Sequence, residues 1–320
     1  MKIFRSLLIV LICLGIYSCE APRLNPLDPQ NLSYQLARLE GSVSGPHNTK
    51  LTGVSVYWKN QNIFIQTDAN GSFIMDRLNL QDGMLYFTKT GYSNDSSFIN
   101  WNNQKDYHVS EVMNSLPNLD SLVVYSVVQN YWPDGQIYSL TVQAAISDKE
   151  NDIDSVFVQC VPMNIHNNLF YNPLTKFYEL TLSNISLDFI EQTIGRNFEI
   201  IVKDFNGRKL NIGNSAVRRI ILDEVSLISP ANSNTTTSKP AFVWSSFKPG
   251  YNFTYMLEVY TNSTNNPSEF IYSKGNISSD SLSFTMANTL TSGSYYWVIW
   301  CVDEFKNRSR SKPATFVVKQ

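Results

Sequence analysis

The sequence predicts an all-β chain: three consecutive β-sandwich modules after a signal peptide and a flexible tether. Three observations lead there. Apolar residues recur with period two in short runs, as in Leu39-Glu40-Gly41-Ser42-Val43 and Tyr138-Ser139-Leu140-Thr141-Val142. Turn chemistry separates the runs, as in Asp68-Ala69-Asn70-Gly71 and Asp204-Phe205-Asn206-Gly207. A helical turn is predicted only from Leu187 to Ile194. At 320 residues, with 43% hydrophobic and 13% aromatic content, the chain has material for two or three cores. A net charge of -2 and 16% charged residues leave no basic face for nucleic acid and no polybasic membrane patch.

The amino terminus reads as an export signal over residues 1–18. Lys2 and Arg5 precede the apolar run Leu7 to Ile16, which is too short to span a bilayer core of about 30 Å comfortably. Ile16-Tyr17-Ser18-Cys19 then resembles a bacterial lipobox, with Tyr17 where a small residue is usual. The resemblance implies cleavage before Cys19 and diacylglycerol on its thiol. Several acyl chains anchor firmly, because each buried methylene contributes about 0.8 kcal/mol and one chain alone is marginal. An ordinary signal peptide with an incidental Cys is the alternative. Residues 19–34 carry Pro22, Pro26 and Pro29 and form the tether. The expected location is the bacterial cell envelope, at the outer membrane or cell surface, with the membrane as one partner.

Residues 35–115 form the first expected module. Gly41-x-Val43, Leu51-x-Gly53-Val54-x-Val56, Thr67-Asp68-x-Asn70-Gly71-x-Phe73 and Phe87-x-Lys89-x-Gly91-Tyr92 follow one another along it. In this order they resemble the carboxypeptidase regulatory-like, or transthyretin-like, domain. That resemblance covers about a quarter of the chain and implies a seven-stranded sandwich without peptidase activity. Asp68 and Asn70 read as turn formers; a hard-oxygen cage for Ca²⁺ needs six or more ligands.

Residues 118–223 have the short strands and turns of an immunoglobulin-like sandwich. Their loop holds four carboxylates, Asp148, Glu150, Asp152 and Asp154. It reads either as a structural Ca²⁺ site or as a solvated hairpin, and the second reading is favoured. No other cofactor is expected.

Residues 224–320 follow the breaker-rich run Ser229 to Pro240. Leu290-x-x-Gly293-x-Tyr295 ahead of a long strand resembles the fibronectin type III signature. Period two places Tyr295, Trp297, Ile299 and Cys301 on one face, and Tyr296 and Trp300 on the other. Tyr296 and Trp300 are candidate contacts for a sugar or a protein, or are covered by a neighbouring sheet; covering is favoured. Ile200 to Gly207 and Trp300 to Asn307 match in layout, each a strand running into an Asp-led hairpin.

No catalytic residue emerges. Gly41-Ser42-Val43-Ser44-Gly45 has Val at the place of a nucleophile, and His47, His108 and His166 lack ligand spacing. Cys13 leaves with the signal, and Cys160 and Cys301 read as buried hydrophobes in different modules. The chain is expected to be a non-enzymatic spacer and binding or assembly platform. Rival readings are a carbohydrate-binding lipoprotein accessory to glycan degradation and an unrecognised extracellular hydrolase.

Overall fold

A computed structural model describes residues 36–262 and 267–319. The expected signal peptide, Cys19 and the expected tether lie outside the described residues. The chain is all-β and divides into two compact units, 1–116 and 117–320.

The first unit is a two-sheet sandwich of seven strands: β1 (Leu36–Ser44), β2 (Ser55–Trp58), β3 (Ile63–Gln66), β4 (Ser72–Asn79), β5 (Gly83–Thr88), β6 (Asp95–Ile99) and β7 (Asp106–Val112). One sheet runs β4-β1-β7 and the other β3-β2-β5-β6. Period two does what the sequence predicts: Val56 and Trp58 point into the core, where Leu39, Phe73, Leu85 and Phe87 meet them. Gly41 is required by close approach, since a Cβ there would sit 2.5 Å from the Val109 carbonyl oxygen. Asp68 closes the β3–β4 turn: its Oδ1 accepts from Asn70 N and Ser72 N, both at 2.8 Å. Gly71 supplies the φ of +72° that the turn demands.

The second unit holds β8 (Asn118–Tyr131), β9 (Gly135–Ser147), β10 (Ile153–Cys160), β11 (Ile165–Asn172), β12 (Phe177–Ile185), β13 (Phe198–Asp204) and β14 (Lys209–Ser215). They enclose a core of Val124, Leu140, Val142, Val158, Phe198 and Ile200. β11 pairs with β10 through Leu169 and with β12 from Phe170, so one strand belongs to both layers. The predicted helical turn is α1 (Leu187–Gln192), capped by Ser186, whose side chain accepts from Phe189 N.

Its remaining strands are β15 (Leu227–Ser229), β16 (Asn234–Thr236), β17 (Ala241–Trp244), β18 (Phe253–Thr261), β19 (Phe270–Ser278), β20 (Ser283–Thr285), β21 (Gly293–Asp303), β22 (Arg308–Arg310) and β23 (Ala314–Val318). β15-β17-β20 packs over β21 and its neighbours, and Tyr295, Trp297, Ile299 and Cys301 all face that core. Trp297 is fully buried, and its indole N–H donates to the Pro230 carbonyl at 2.7 Å. The run Ser229–Pro240 is more than a connector. It contains β16, which pairs in parallel with β23 through Asn234 and Phe316. Edge strands pair on one side only, so they need little apolar patterning.

The two sets of strands share a sheet. β22 pairs in parallel with β8, Arg308 to Arg310 against Val127 to Gln129. Hydrogen bonding therefore runs without a break along β12-β9-β8-β22-β21-β18-β19.

Candidate functional site

The acidic loop joins β9 to β10. Asp148, Glu150 and Asp152 each place an oxygen within 4.8 Å of the others, all half-buried. Asp152 N donates to Asp148 Oδ2 at 2.9 Å, and this contact holds the loop closed. Burial, then the charge of Asp148, raises the Asp152 carboxyl above its ordinary value. Asp154 leaves the group. It is the second residue of β10 and points at Lys203 on β13, with 2.7 Å between Oδ2 and Nζ. That hydrogen bond lowers its pKa. So three of the four predicted carboxylates converge, and the fourth is occupied by a lysine. Three carboxylates are a partial shell for a hard cation that takes six to eight oxygens.

Trp300 and Tyr296 do lie on the face of β21 away from its core, as period two predicts. Trp300 is only 6% exposed, however, which removes it as a stacking surface for an outside ligand. Tyr125 and Val127 of β8 pack beside it in the shared sheet. The Arg308 guanidinium sits 5.0 Å from the Trp300 ring centroid and 5.4 Å from that of Tyr125. The Trp300 indole N–H donates to Glu258 Oε2 at 2.7 Å, and Tyr260 donates its hydroxyl to the same oxygen at 2.8 Å. Tyr296 stacks on Tyr260, with centroids 5.0 Å apart and planes 9° off parallel. This layer binds its own members together.

The strongest polar constellation lies at the seam between β8 and β22. Asp303, Asn307 and Ser126 are at most 5% exposed. Asp303 Oδ1 accepts from Phe305 N at 2.9 Å and Asn307 N at 2.8 Å. Asn307 Nδ2 donates to Asp303 Oδ2 at 3.0 Å, and Asn307 Oδ1 accepts from Ser126 N at 2.9 Å. Arg219 Nε approaches Asp303 Oδ2 at 3.5 Å, while its guanidinium lies 4.2 Å from the Tyr251 ring centroid. Burial raises the Asp303 pKa even against the Asn307 and Arg219 contacts that lower it. The Asp303, Asn307 and Ser126 groups are spent on one another, while Arg219 Nη1 beside them is buried without a hydrogen-bond partner.

The two described cysteines are buried in different cores. Burial pushes the Cys301 thiol up to about 12 and raises that of Cys160, so neither is an activated thiolate. His166 stacks on Phe157 at 5.2 Å, and His108 lies 3.9 Å from Glu40. Sequence reasoning passed over Trp132 in the β8–β9 turn, which is 71% exposed, and the Arg308–Arg310 strand. A Trp inside the turn Trp132-Pro133-Asp134-Gly135 was the available signal. No helix among the described residues is long and apolar enough to cross a membrane.

No family model matches the chain, and no curated protein does. Solved structures resemble it at low identity. The fibronectin(III)-like modules of Clostridium thermocellum CbhA are 12% identical over 63% of this chain and 93% of that one, with a TM-score of 0.29. BcpA, the major pilin subunit of Bacillus cereus, is 11% identical over 89% of this chain and 96% of its own, with a TM-score of 0.27. The FN1-FN3 domains of chicken CNTN1 are 8% identical over 64% of this chain and 65% of theirs, with a TM-score of 0.23. At such identities and scores they carry no argument about function. The all-β class rests on the strands themselves.

Proposed function

We propose that the chain is a non-enzymatic, lipid-anchored cell-envelope protein that serves as a spacer and a binding or assembly platform. The observation that carries the platform part is the unbroken sheet across β8 and β22, sealed by Ser126, Asn307 and Asp303. Separate sandwiches on a linker would turn freely about it, whereas a shared ladder with a buried polar seam holds one orientation. Such a body presents the surfaces of both sets of strands in one fixed orientation. The anchor part rests on Leu7 to Ile16 followed by Ser18-Cys19 and the proline-containing tether. In this reading the first unit is a carboxypeptidase regulatory-like sandwich, and the rest is immunoglobulin-like and fibronectin type III-like. The location is the outer membrane or cell surface.

The test is fractionation of cells expressing the full chain. Cys19→Ser is expected to move the protein from the membrane to the soluble fraction and to abolish labelling by radioactive palmitate. A variant that stays in the membrane, or a wild type that takes no label, overturns the anchor.

A further inference from the structure

Five of the six tryptophans are at most 6% exposed, and Trp132 is 71% exposed. Leaving so large an apolar ring in water forgoes the burial that the other five obtain. The ring is nonetheless held in place. Its indole N–H donates to the Pro313 carbonyl at 2.9 Å, and Lys312 Nζ lies 5.1 Å from its centroid. An exposed but fixed aromatic is a ready contact surface, because ordering it on binding costs little.

Beside the ring lies a cleft of about 550 Å³, within the range of small-ligand sites. Its walls come from the β8–β9 turn, the segment leading into and through β15, the β15–β16 loop, and the link from β22 into the start of β23. Trp132 alone of these residues comes from the first set of strands, so the fusion of the two sets is what brings the ring to a cleft built otherwise by the second. Leu227 and the 59%-exposed Ile228 give it an apolar side, and Ser226, Asn232 and Thr315 give it neutral hydroxyl and amide groups.

Its charges are spent on one another. Lys312 Nζ lies 2.9 Å from Asp134 Oδ1 and 3.4 Å from Glu224 Oε1, and Glu224 Oε2 accepts from Lys312 N at 2.7 Å. No cation is left over to draw a phosphate or another anion. The Glu224 oxygens keep spare lone pairs for hydroxyl donors. Trp132 and Ile228 together offer on the order of 300 Å², far below the roughly 800 Å² per partner of a stable protein interface. A neutral ligand with one apolar face and a rim of hydroxyls is the complement of this lining.

We infer that the Trp132 cleft is a subsite for a neutral glycan, with the C–H face of a pyranose against the indole and its hydroxyls toward Glu224 and Asn232. This rests on the platform reading for its purpose and is independent of the anchor.

The test is native electrophoresis of the full chain in detergent, through gels containing soluble β-1,4-glucan, β-1,4-mannan, β-1,4-xylan or α-1,4-glucan. At least one is expected to retard the wild type. Trp132→Ala should weaken that retardation at least about tenfold, and Trp132→Phe should keep part of it. Phe170→Ala removes another exposed ring, 70% exposed on β11, and should change nothing. Matching thermal melts establish that the variants fold. The inference fails if no glycan retards the chain, if Trp132→Ala migrates as wild type, or if Phe170→Ala is equally damaging. It also fails if a proline-rich peptide binds through Trp132 while the glycans do not. Loss of glycan binding with Cys19→Ser still releasing the protein would separate this failure from that of the anchor.

Discussion

Asp204–Arg208 and Asp303–Asn307 are the same hairpin used for two purposes. In each, the Asp N–H donates to the carbonyl four residues on at 3.0 Å, and the N–H of that residue donates to the Asp Oδ1 at 2.8 Å. The local frame is thus common to both. Their fifth residues differ in setting. Arg208 reaches back to Asp204 at 3.2 Å with a side chain 40% exposed, so this turn ends in water. Asn307 is fully buried and spends its amide on Asp303 and Ser126, so that turn becomes the seam of the shared sheet. A local motif sets the turn, and the surface it meets decides what the turn does.

The largest test of this contrast is Asn307→Ala against Arg208→Ala. The first strands Ser126 N in a dry site, leaves Asp303 Oδ2 only the 3.5 Å approach of Arg219, and is expected to cost about 2–4 kcal/mol in denaturant unfolding. The second removes the exposed partner of a buried Asp204 that keeps its backbone donor, and is expected to cost about 1 kcal/mol. Equal losses would break the comparison.

Next comes pH. The Asp303 pKa is raised by burial, so the folded state holds its proton more tightly than the unfolded state. Its contribution to stability is therefore greatest below the ordinary value of 3.8 and falls as pH rises through the raised folded value. Asp303→Asn should flatten the fall in unfolding free energy across that window. The change in slope is bounded by one proton, about 1.4 kcal/mol per pH unit. An unchanged slope would remove Asp303 as its source.

A smaller effect is expected at the turn itself. Gly207 carries φ +84°, whereas its counterpart Lys306 carries φ +68° with a side chain. Lys306→Gly should stabilise the unit by about 0.5–1 kcal/mol, read as a higher denaturation midpoint. A loss instead would mean that the lysine side chain is needed in place.

The smallest concerns the acidic loop. Asp152→Asn relieves repulsion among three carboxylates and should raise the melting temperature by about 1–2 °C without calcium. Millimolar calcium should leave both proteins unchanged if the loop is a solvated hairpin. A wild-type gain absent from the variant would make it an ion site.

Much of the fold was legible because it is written in neighbouring residues. The burial of Tyr295, Trp297, Ile299 and Cys301 follows from period two, and the Asp68 turn follows from Asn70-Gly71. The candidate site was legible only in part. Asp148, Glu150 and Asp152 converge, but the strand that carries Asp154 turns it toward Lys203, about 50 residues away in sequence. Period two puts Trp300 on the correct face and its covering is the favoured reading, but nothing near it in sequence announces Tyr125 of β8 as its neighbour.

Sequence alone determined the strands, the turns between them and which face of each strand is apolar, because these depend on residues within a few positions of one another. Tertiary structure decided that β22, an Arg-Ser-Arg strand with no apolar alternation, would pair with β8 some 180 residues earlier. It likewise decided that Asn307 would meet Ser126 and that Trp132 would stand over a cleft. Those outcomes depend on which backbone edges remain unpaired once each sheet has formed, and no local pattern encodes that.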